Sequence, residues 1–140
     1  MSLLEWFDFY ESGNPLIDSQ HKQLLKMINN YKISCQFNMK EKAIREFIEF
    51  LKHYVEYHFQ AEEAFQKTSM YPDFRKHQAA HDMICIQLKN LCLKLETKDY
   101  SNEFQNEFEL FFINSVNKHL YEEDIPFCIF YKNYTEATAV

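Results

Sequence analysis

The amino-acid sequence predicts an all-α protein, an antiparallel up-down-up-down four-helix bundle with an N-terminal aromatic arm and a short C-terminal tail. Apolar residues recur at intervals of three and four along four separate segments, a pattern typical of helices with one buried face. Short breaks separate these segments, so consecutive helices are expected to run antiparallel. The 140 residues include one glycine and three prolines, too few for the many tight turns of an all-β fold.

The predicted elements form a single domain, because a chain of this length suits one hydrophobic core. Asn14 and Pro15 indicate the start of the first helix, as a capping residue followed by a proline in the first turn. The arm is expected to pack along the outside of the bundle. The aromatic tail is expected to fold back on the bundle, with residues 135–140 frayed. The domain spans residues 1–140, with the arm predicted at 1–13 and the tail at 125–140. The four helices are predicted at 14–37, 41–67, 72–96 and 102–122.

Charge and composition exclude several classes of partner. The formal net charge is -6 and the lysines are scattered, which argues against a nucleic-acid partner. No apolar run approaches the length of a membrane span, and the N-terminus does not resemble a signal peptide. The four cysteines form no CxxC pair, so free and mostly buried thiols in the cytoplasm are expected. Cys85 follows His81 by one helical turn; core packing is the favoured role, with a redox link to a metal as the alternative.

Polar side chains interrupt the apolar faces of all four predicted helices. His58 and Glu62 continue one apolar stripe, and their spacing of four places them on one helix face, about 6 Å apart along the axis. A single histidine on such a face is more often a hydrogen-bonded core residue than a ligand. Across four helices that explanation fails, because buried carboxylates need a partner or a metal and few other polar groups are available. The interrupting residues are His21, His58, Glu62, His77, His81, His119 and Asp124.

Five imidazoles and two carboxylates form a mixed nitrogen and oxygen donor set that suits iron. Seven protein ligands are too many for one ion. Two ions bridged by the two carboxylates, roughly 3.5–4 Å apart, would use all seven. If each ion is six-coordinate and a solvent-derived bridge is included, one coordination position remains empty. The sequence therefore predicts two iron ions and a site for a small diatomic molecule beside one of them.

These residues resemble the motifs of the hemerythrin family, in its stand-alone, single-domain form and over nearly the whole chain. The resemblance rests on residues 17–21 and 58–63, on the pair His77 and His81, and on His119 with Asp124. It implies an antiparallel four-helix bundle with two non-haem iron ions, joined by carboxylates and an oxo or hydroxo bridge, that bind molecular oxygen reversibly. It assigns one iron ion to His77, His81 and His119, the other to His21 and His58, and the bridging positions to Glu62 and Asp124.

The resemblance also implies an oxygen pocket beside the iron ion held by two histidines. The candidate pocket residues are Ile28, Phe59, Ser115, Val116 and Leu120. Ser115 and Val116 stand where the family often has Trp and Leu, which are larger. We therefore expect a looser pocket and faster autoxidation of the oxygen-bound form, unless Phe111 or Phe112 packs into the space.

Reversible binding of oxygen for storage, delivery or scavenging is the predicted function, without enzymatic turnover. The alternative is a di-iron oxygen or redox sensor, or an oxidoreductase that handles peroxide or nitric oxide at low turnover. No histidine has a glutamate three residues before it, as the ferritin-like di-iron enzymes do. A metal-free or zinc-loaded interaction module is a third possibility, but it leaves the seven polar core residues unexplained. An additional protein partner is compatible with the sequence, which does not indicate an oligomeric state.

Overall fold

The chain folds as the predicted all-α four-helix bundle, seen here in a computed structural model that describes residues 3–98 and 100–139. Met1, Ser2, Asp99 and Val140 lie outside the described residues, as do the corresponding ends of the predicted arm and tail. The α-helices are α1 (Pro15–Gln36), α2 (Lys40–Thr68), α3 (Phe74–Glu96), α4 (Asn102–Leu110) and α5 (Ile125–Thr138). No helix in the described part of the chain is both long and apolar enough to cross a membrane.

Local signals define the helix ends. The Asn14 side chain accepts hydrogen bonds from the backbone N–H groups of Leu16 and Ile17, and so caps α1 ahead of Pro15. Asn38, Met70 and Lys98 adopt left-handed backbone conformations, with φ of 58°, 55° and 59°, directly after α1, α2 and α3. These residues stop each helix within a short loop, and neighbouring helices therefore run antiparallel.

The fourth helix of the bundle widens twice. After α4 the helix continues through two π-helical segments, Phe111–Asn117 and Leu120–Asp124, and leads directly into α5. On an α-helix, two residues five apart point about 140° away from each other. The wider π turn, with its i→i+5 hydrogen bonds, brings such residues towards one face. His119 and Asp124 are five residues apart and both are buried, so the π-helical segment directs both side chains into the core.

The prediction of a tail at 125–140 that folds back on the bundle needs correction. Most of this segment forms α5, which continues the fourth helix without reversing direction. Its aromatic residues recur at helical spacing and pack against the end of the bundle. Phe127 is fully buried, with its ring centroid 5.1 Å from that of Tyr71, and Tyr131 lies 5.7 Å from Phe65. Because this packing stabilises the helix, the residues expected to be frayed form the last turn of α5, which ends at Thr138.

Apolar and polar layers occupy different parts of the interior. Aromatic rings fill the half of the bundle near the α1–α2 and α3–α4 loops, where Phe104 and Phe108 are fully buried. Phe112 lies between Tyr31 and Phe47, at ring-centroid distances of 4.5 and 5.2 Å. The polar residues that the sequence singles out lie beyond this layer, towards the α2–α3 loop.

The arm runs along α1 in the opposite direction. The Leu4 backbone and the Asn29 side chain exchange two hydrogen bonds, of 2.8 and 2.9 Å. At the other end, the backbone N–H and the hydroxyl of Ser12 both donate to Asp18 Oδ1 at 2.8 Å. Ser12 is completely buried, so the arm is fixed to the bundle at both ends.

We expect Phe108→Ala to lower the free energy of unfolding by about 3–5 kcal/mol, because it leaves a cavity in the aromatic layer. Phe37→Ala is the matched control, since Phe37 is 71% exposed and should change stability by about 0.5 kcal/mol or less. Urea unfolding followed by circular dichroism, with all proteins in the same metal state, measures both. Equal losses in the two variants would contradict the assignment of this layer as the core.

Candidate metal centre

Seven polar side chains meet in the interior of the bundle, and each helix that forms it contributes at least one. All are at most 7% exposed, and Glu62 is completely buried. The seven are the residues that interrupt the apolar faces in the sequence: His21, His58, Glu62, His77, His81, His119 and Asp124.

The seven residues divide into two overlapping groups of potential ligands. In each group, one nitrogen or oxygen atom per residue lies within 4.8 Å of every other. One group has five members and the other has four, and the two carboxylates belong to both. We call them the five-ligand half (Glu62, His77, His81, His119 and Asp124) and the four-ligand half (His21, His58, Glu62 and Asp124).

Each carboxylate directs one oxygen to each half. Glu62 Oε1 lies 2.8 and 3.1 Å from the Nε2 atoms of His77 and His81, and its Oε2 lies 2.9 Å from His21 Nε2. Asp124 Oδ1 lies 2.9 Å from His77 Nε2, and its Oδ2 lies 3.6 Å from His21 Nε2. Both side chains therefore contact the histidines of both halves.

The spacing of these atoms fits octahedral metal ions. Adjacent ligands on a six-coordinate ion with bonds of about 2.1 Å are about 3.0 Å apart. The Nε2 atoms of His21 and His58 are 3.1 Å apart, and those of His77 and His119 are 3.2 Å apart. Glu62 Oε1 and His81 Nε2 are buried and close, yet neither makes a hydrogen bond. Such atoms are costly to bury unless a metal ion accepts them, so the residues present fit metal ligation.

A comparison with protein families decides the identity of this arrangement. The family described as Hemerythrin HHE cation binding domain matches residues 12–126.

This chain belongs to the hemerythrin family.

The resemblance predicted from the sequence is thereby confirmed, and membership in a cation-binding family of this kind implies that the chain binds non-haem iron.

Several curated relatives carry the name bacteriohemerythrin. One from Stenotrophomonas maltophilia is 26% identical over 117 residues, which cover 83% of this chain and 76% of the relative. One from Clostridium acetobutylicum is 27% identical over 122 residues, covering 85% of this chain and 94% of the relative. One from Campylobacter jejuni is 25% identical over 120 residues, covering 86% and 89%. No solved structure gives a significant match to this hemerythrin chain.

Each of the five histidines also contacts a polar group through its outward ring nitrogen, Nδ1. A histidine that binds metal through Nε2 donates its Nδ1–H to such a group, which fixes the orientation of the ring. Gln20 lies 2.7 Å from Nδ1 of His58, and Gln66 lies 2.8 Å from Nδ1 of His77. Glu63 lies 2.9 Å from Nδ1 of His81, and Glu123 lies 3.2 Å from Nδ1 of His119. The Cys128 sulfur lies 3.5 Å from Nδ1 of His21.

The Gln66 amide shows how ligation determines the orientation of a neighbouring side chain. Its nitrogen is placed against His77 Nδ1, while its oxygen is buried without a hydrogen bond. A half-turn of the amide brings the oxygen to His77, whose Nδ1–H then donates to it. That arrangement leaves His77 Nε2 unprotonated, as a metal ligand requires.

Three of these five contacts come from residues to which the sequence analysis assigned no role: Gln20, Gln66 and Cys128. Gln66 and Cys128 each follow a bridging carboxylate by four residues, and Gln20 directly precedes His21, so the spacing to a ligand was the available signal. The cysteine prediction also needs correction, because Cys85 is exposed and Cys128 is the thiol that contacts a ligand histidine. Cys85 lies about 80° from the centre of the buried α3 stripe, at its solvent edge.

The predicted oxygen-pocket residues divide by burial. Four of them are buried: Ile28, Phe59, Val116 and Leu120. The Phe59 ring stacks on His81, at a centroid distance of 3.8 Å and an interplanar angle of 6°. Ser115 is half-buried and lines two surface clefts between α3 and the fourth helix, of about 180 and 250 Å³. One of these clefts reaches His119, and Phe111 lines the other without filling it.

Burial and neighbouring charges shift the pKa values of histidines in this cluster. Burial alone would lower the pKa of His77, but the neighbouring carboxylates of Asp124 and Glu62 raise it to about 9. Burial is likewise outweighed at His119, where Asp124 raises the pKa to about 10. Burial lowers the pKa of His58 and outweighs the neighbouring Glu62. At neutral pH the metal-free cluster therefore carries protons on some of its ligand nitrogens.

Metal loading at neutral pH should release at least about two protons per chain, because His77 and His119 must lose theirs to become ligands. The pKa of His21 is also raised, since Asp124 and Glu62 outweigh its burial. The pKa values of His77 and His119, about 9 and 10, lie above neutral pH. Apparent metal affinity should therefore rise with pH from 7 and level off above this range. An anaerobic titration with Fe²⁺ in weakly buffered solution measures the protons released. His53→Gln, at an exposed histidine, is the control, and proton release that does not change with pH would contradict the assignment.

Proposed function

We propose that this hemerythrin-family chain holds two iron ions and binds molecular oxygen reversibly, for storage, delivery or scavenging. His77, His81 and His119 would hold one ion, and His21 and His58 the other. Glu62 and Asp124 would bridge the two ions, and an oxo or hydroxo group would complete the bridge. We further propose a cytoplasmic location, because all four cysteines are free thiols.

One observation carries this proposal: the two carboxylates are shared, but the numbers of histidines differ. Each half receives one oxygen from Glu62 and one from Asp124. Three histidines complete five protein ligands on one side, whereas two histidines give four on the other. If one bridging oxygen were added, the first ion would be six-coordinate and the second would retain an open position. A small molecule could bind there without displacing a protein ligand.

Iron at this position supplies the electrons that oxygen binding requires, and the chain supplies the environment. The histidines are held by the contacts to their Nδ1 atoms, so their rings need little rearrangement on binding. Buried aromatic and aliphatic side chains around the cluster exclude bulk water. A donor set with five histidines and only two carboxylates favours holding oxygen over cleaving it, which argues against enzymatic turnover.

A second candidate function rests on the clefts beside Ser115. The cleft of about 180 Å³ is lined by Ser115, His119 and Glu123, so solvent approaches a ligand histidine. Such access would suit an oxygen or redox sensor, or slow reaction with peroxide or nitric oxide. A measured turnover well above that of free iron would favour this function over reversible oxygen binding.

Iron content and visible absorption test the main proposal. We expect about two irons per chain and an absorption band that appears in air after anaerobic reduction and disappears when oxygen is removed. Glu62→Gln should reduce the iron content to below about one per chain, because both halves lose a bridging charge. His53→Gln should leave the content unchanged, since His53 is exposed. Irreversible bleaching in the first cycle would contradict reversible binding.

Ser115→Trp tests the looser pocket that the sequence predicts. The indole should fill the clefts between α3 and the fourth helix and exclude water, so the oxygen-bound form should persist longer before autoxidation. The matched control is Ile113→Trp, because Ile113 is 49% exposed and two residues away. The decay of the oxygen-dependent band gives the lifetime. A lifetime equal to or shorter than that of the parent would contradict a role for Ser115.

A further inference from the structure

Tyr54 carries a buried hydroxyl group that no hydrogen bond satisfies. The residue is 7% exposed, and its hydroxyl oxygen has no hydrogen-bond partner among the described residues. Leaving a buried polar group unpaired costs about 1–3 kcal/mol, so such groups are rare without a functional reason. On a helical projection Val55 lies nearer than Tyr54 to the centre of the buried α2 face, yet Val55 is only half-buried.

The Tyr54 ring lies beside the half of the centre that lacks a ligand. It stacks on His58, one turn further along α2, at a centroid distance of 4.7 Å and an interplanar angle of 26°. His58 belongs to the four-ligand half. In the five-ligand half the corresponding stack, of Phe59 on His81, has no hydroxyl group. The unpaired hydroxyl therefore accompanies the incomplete half only.

The Tyr54 hydroxyl is a hydrogen-bond donor at neutral pH, because a phenol has an ordinary pKa of about 10 and stays protonated. Because the ring stacks on His58, the hydroxyl offers its proton beside the four-ligand half.

A surface cleft connects solvent to this position. The cleft lies between α1 and α2, has a volume of about 160 Å³, and is lined by both Tyr54 and His58. Gln20, whose side-chain oxygen contacts His58 Nδ1, and the exposed Tyr57 lie at the same cleft. The cleft therefore brings solvent to the outer, Nδ1 side of His58, at the edge of the four-ligand half.

We propose that the Tyr54 hydroxyl donates a hydrogen bond to a small ligand bound at the open position of the metal ion held by His21 and His58. This inference rests on the proposed function and deepens it. The ligand class is a diatomic or triatomic molecule that carries negative charge on its outer atom when bound. A donor at that point favours anionic ligands and bound forms in which charge has moved from the metal to the ligand.

Azide binding to the iron-loaded, oxidised protein tests the proposal, because azide is a triatomic anion that binds to open positions on ferric iron. Tyr54→Phe keeps the ring stacked on His58 and removes only the hydroxyl. We expect it to weaken azide binding about tenfold or more, as loss of a hydrogen bond to a charged group does. Tyr57→Phe removes a hydroxyl from the same cleft at an exposed residue, and should leave affinity unchanged.

A spectroscopic measurement on the parent protein needs no variant. The azide stretching band of the parent should shift in D₂O, because the donated proton exchanges, and the band of Tyr54→Phe should not. Equal azide affinities in parent and Tyr54→Phe, or a parent band insensitive to D₂O, would overturn the role of Tyr54 while leaving the proposed function intact. Loss of iron from Tyr54→Phe would also overturn it, by assigning the hydroxyl to metal retention. A parent that holds no iron would overturn both.

Discussion

The rest of the structure depends on the burial of two carboxylates in the centre of a helical bundle. Glu62 and Asp124 are at most 1% exposed, and the desolvation of a buried charge costs several kcal/mol. Five imidazoles surround them, and five further polar side chains contact the imidazoles. Because these groups come from all four helices of the bundle, only one alignment of the helices satisfies them together. The aromatic layer supplies much of the apolar burial, whereas the polar cluster specifies the alignment.

The sequence predicts the helices and the seven clustered residues because both depend on regular spacing. A stripe at intervals of three and four identifies a buried face, and polar residues within it stand out. The fourth helix shows where this reasoning ends. His53 and His58 are five residues apart and point in different directions, one exposed and one buried. His119 and Asp124 have the same spacing, yet both point inward, because the backbone between them is π-helical. Hydrogen-bond geometry, which periodicity does not encode, makes the difference.

A helical projection also does not predict the burial of residues at the edges of an apolar stripe. Tyr54 is buried and Val55 is half-buried, although Val55 lies closer to the centre of the α2 stripe. Cys85 was expected in the core and is exposed, whereas Cys128 lies in a segment expected to be a tail and is completely buried. In each case burial is decided by the neighbouring helix: α1 beside Tyr54, and the start of α1 beside Cys128, which contacts His21. Such contacts depend on helix tilt and rotation, which pairwise spacing within one segment does not determine.

The two halves of the centre differ in their surroundings as well as in their ligands. A phenylalanine stacks on the five-ligand half, whereas a tyrosine with an unpaired hydroxyl stacks on the four-ligand half. Four histidines have an amide or carboxylate oxygen available for their outer N–H, whereas His21 has only a thiol, whose sulfur is a weak acceptor. A weaker acceptor makes the imidazole a weaker donor to the metal, because N–H donation raises ligand basicity. Both departures fall on the four-ligand half. Residues outside the ligand set thus give the two halves different surroundings.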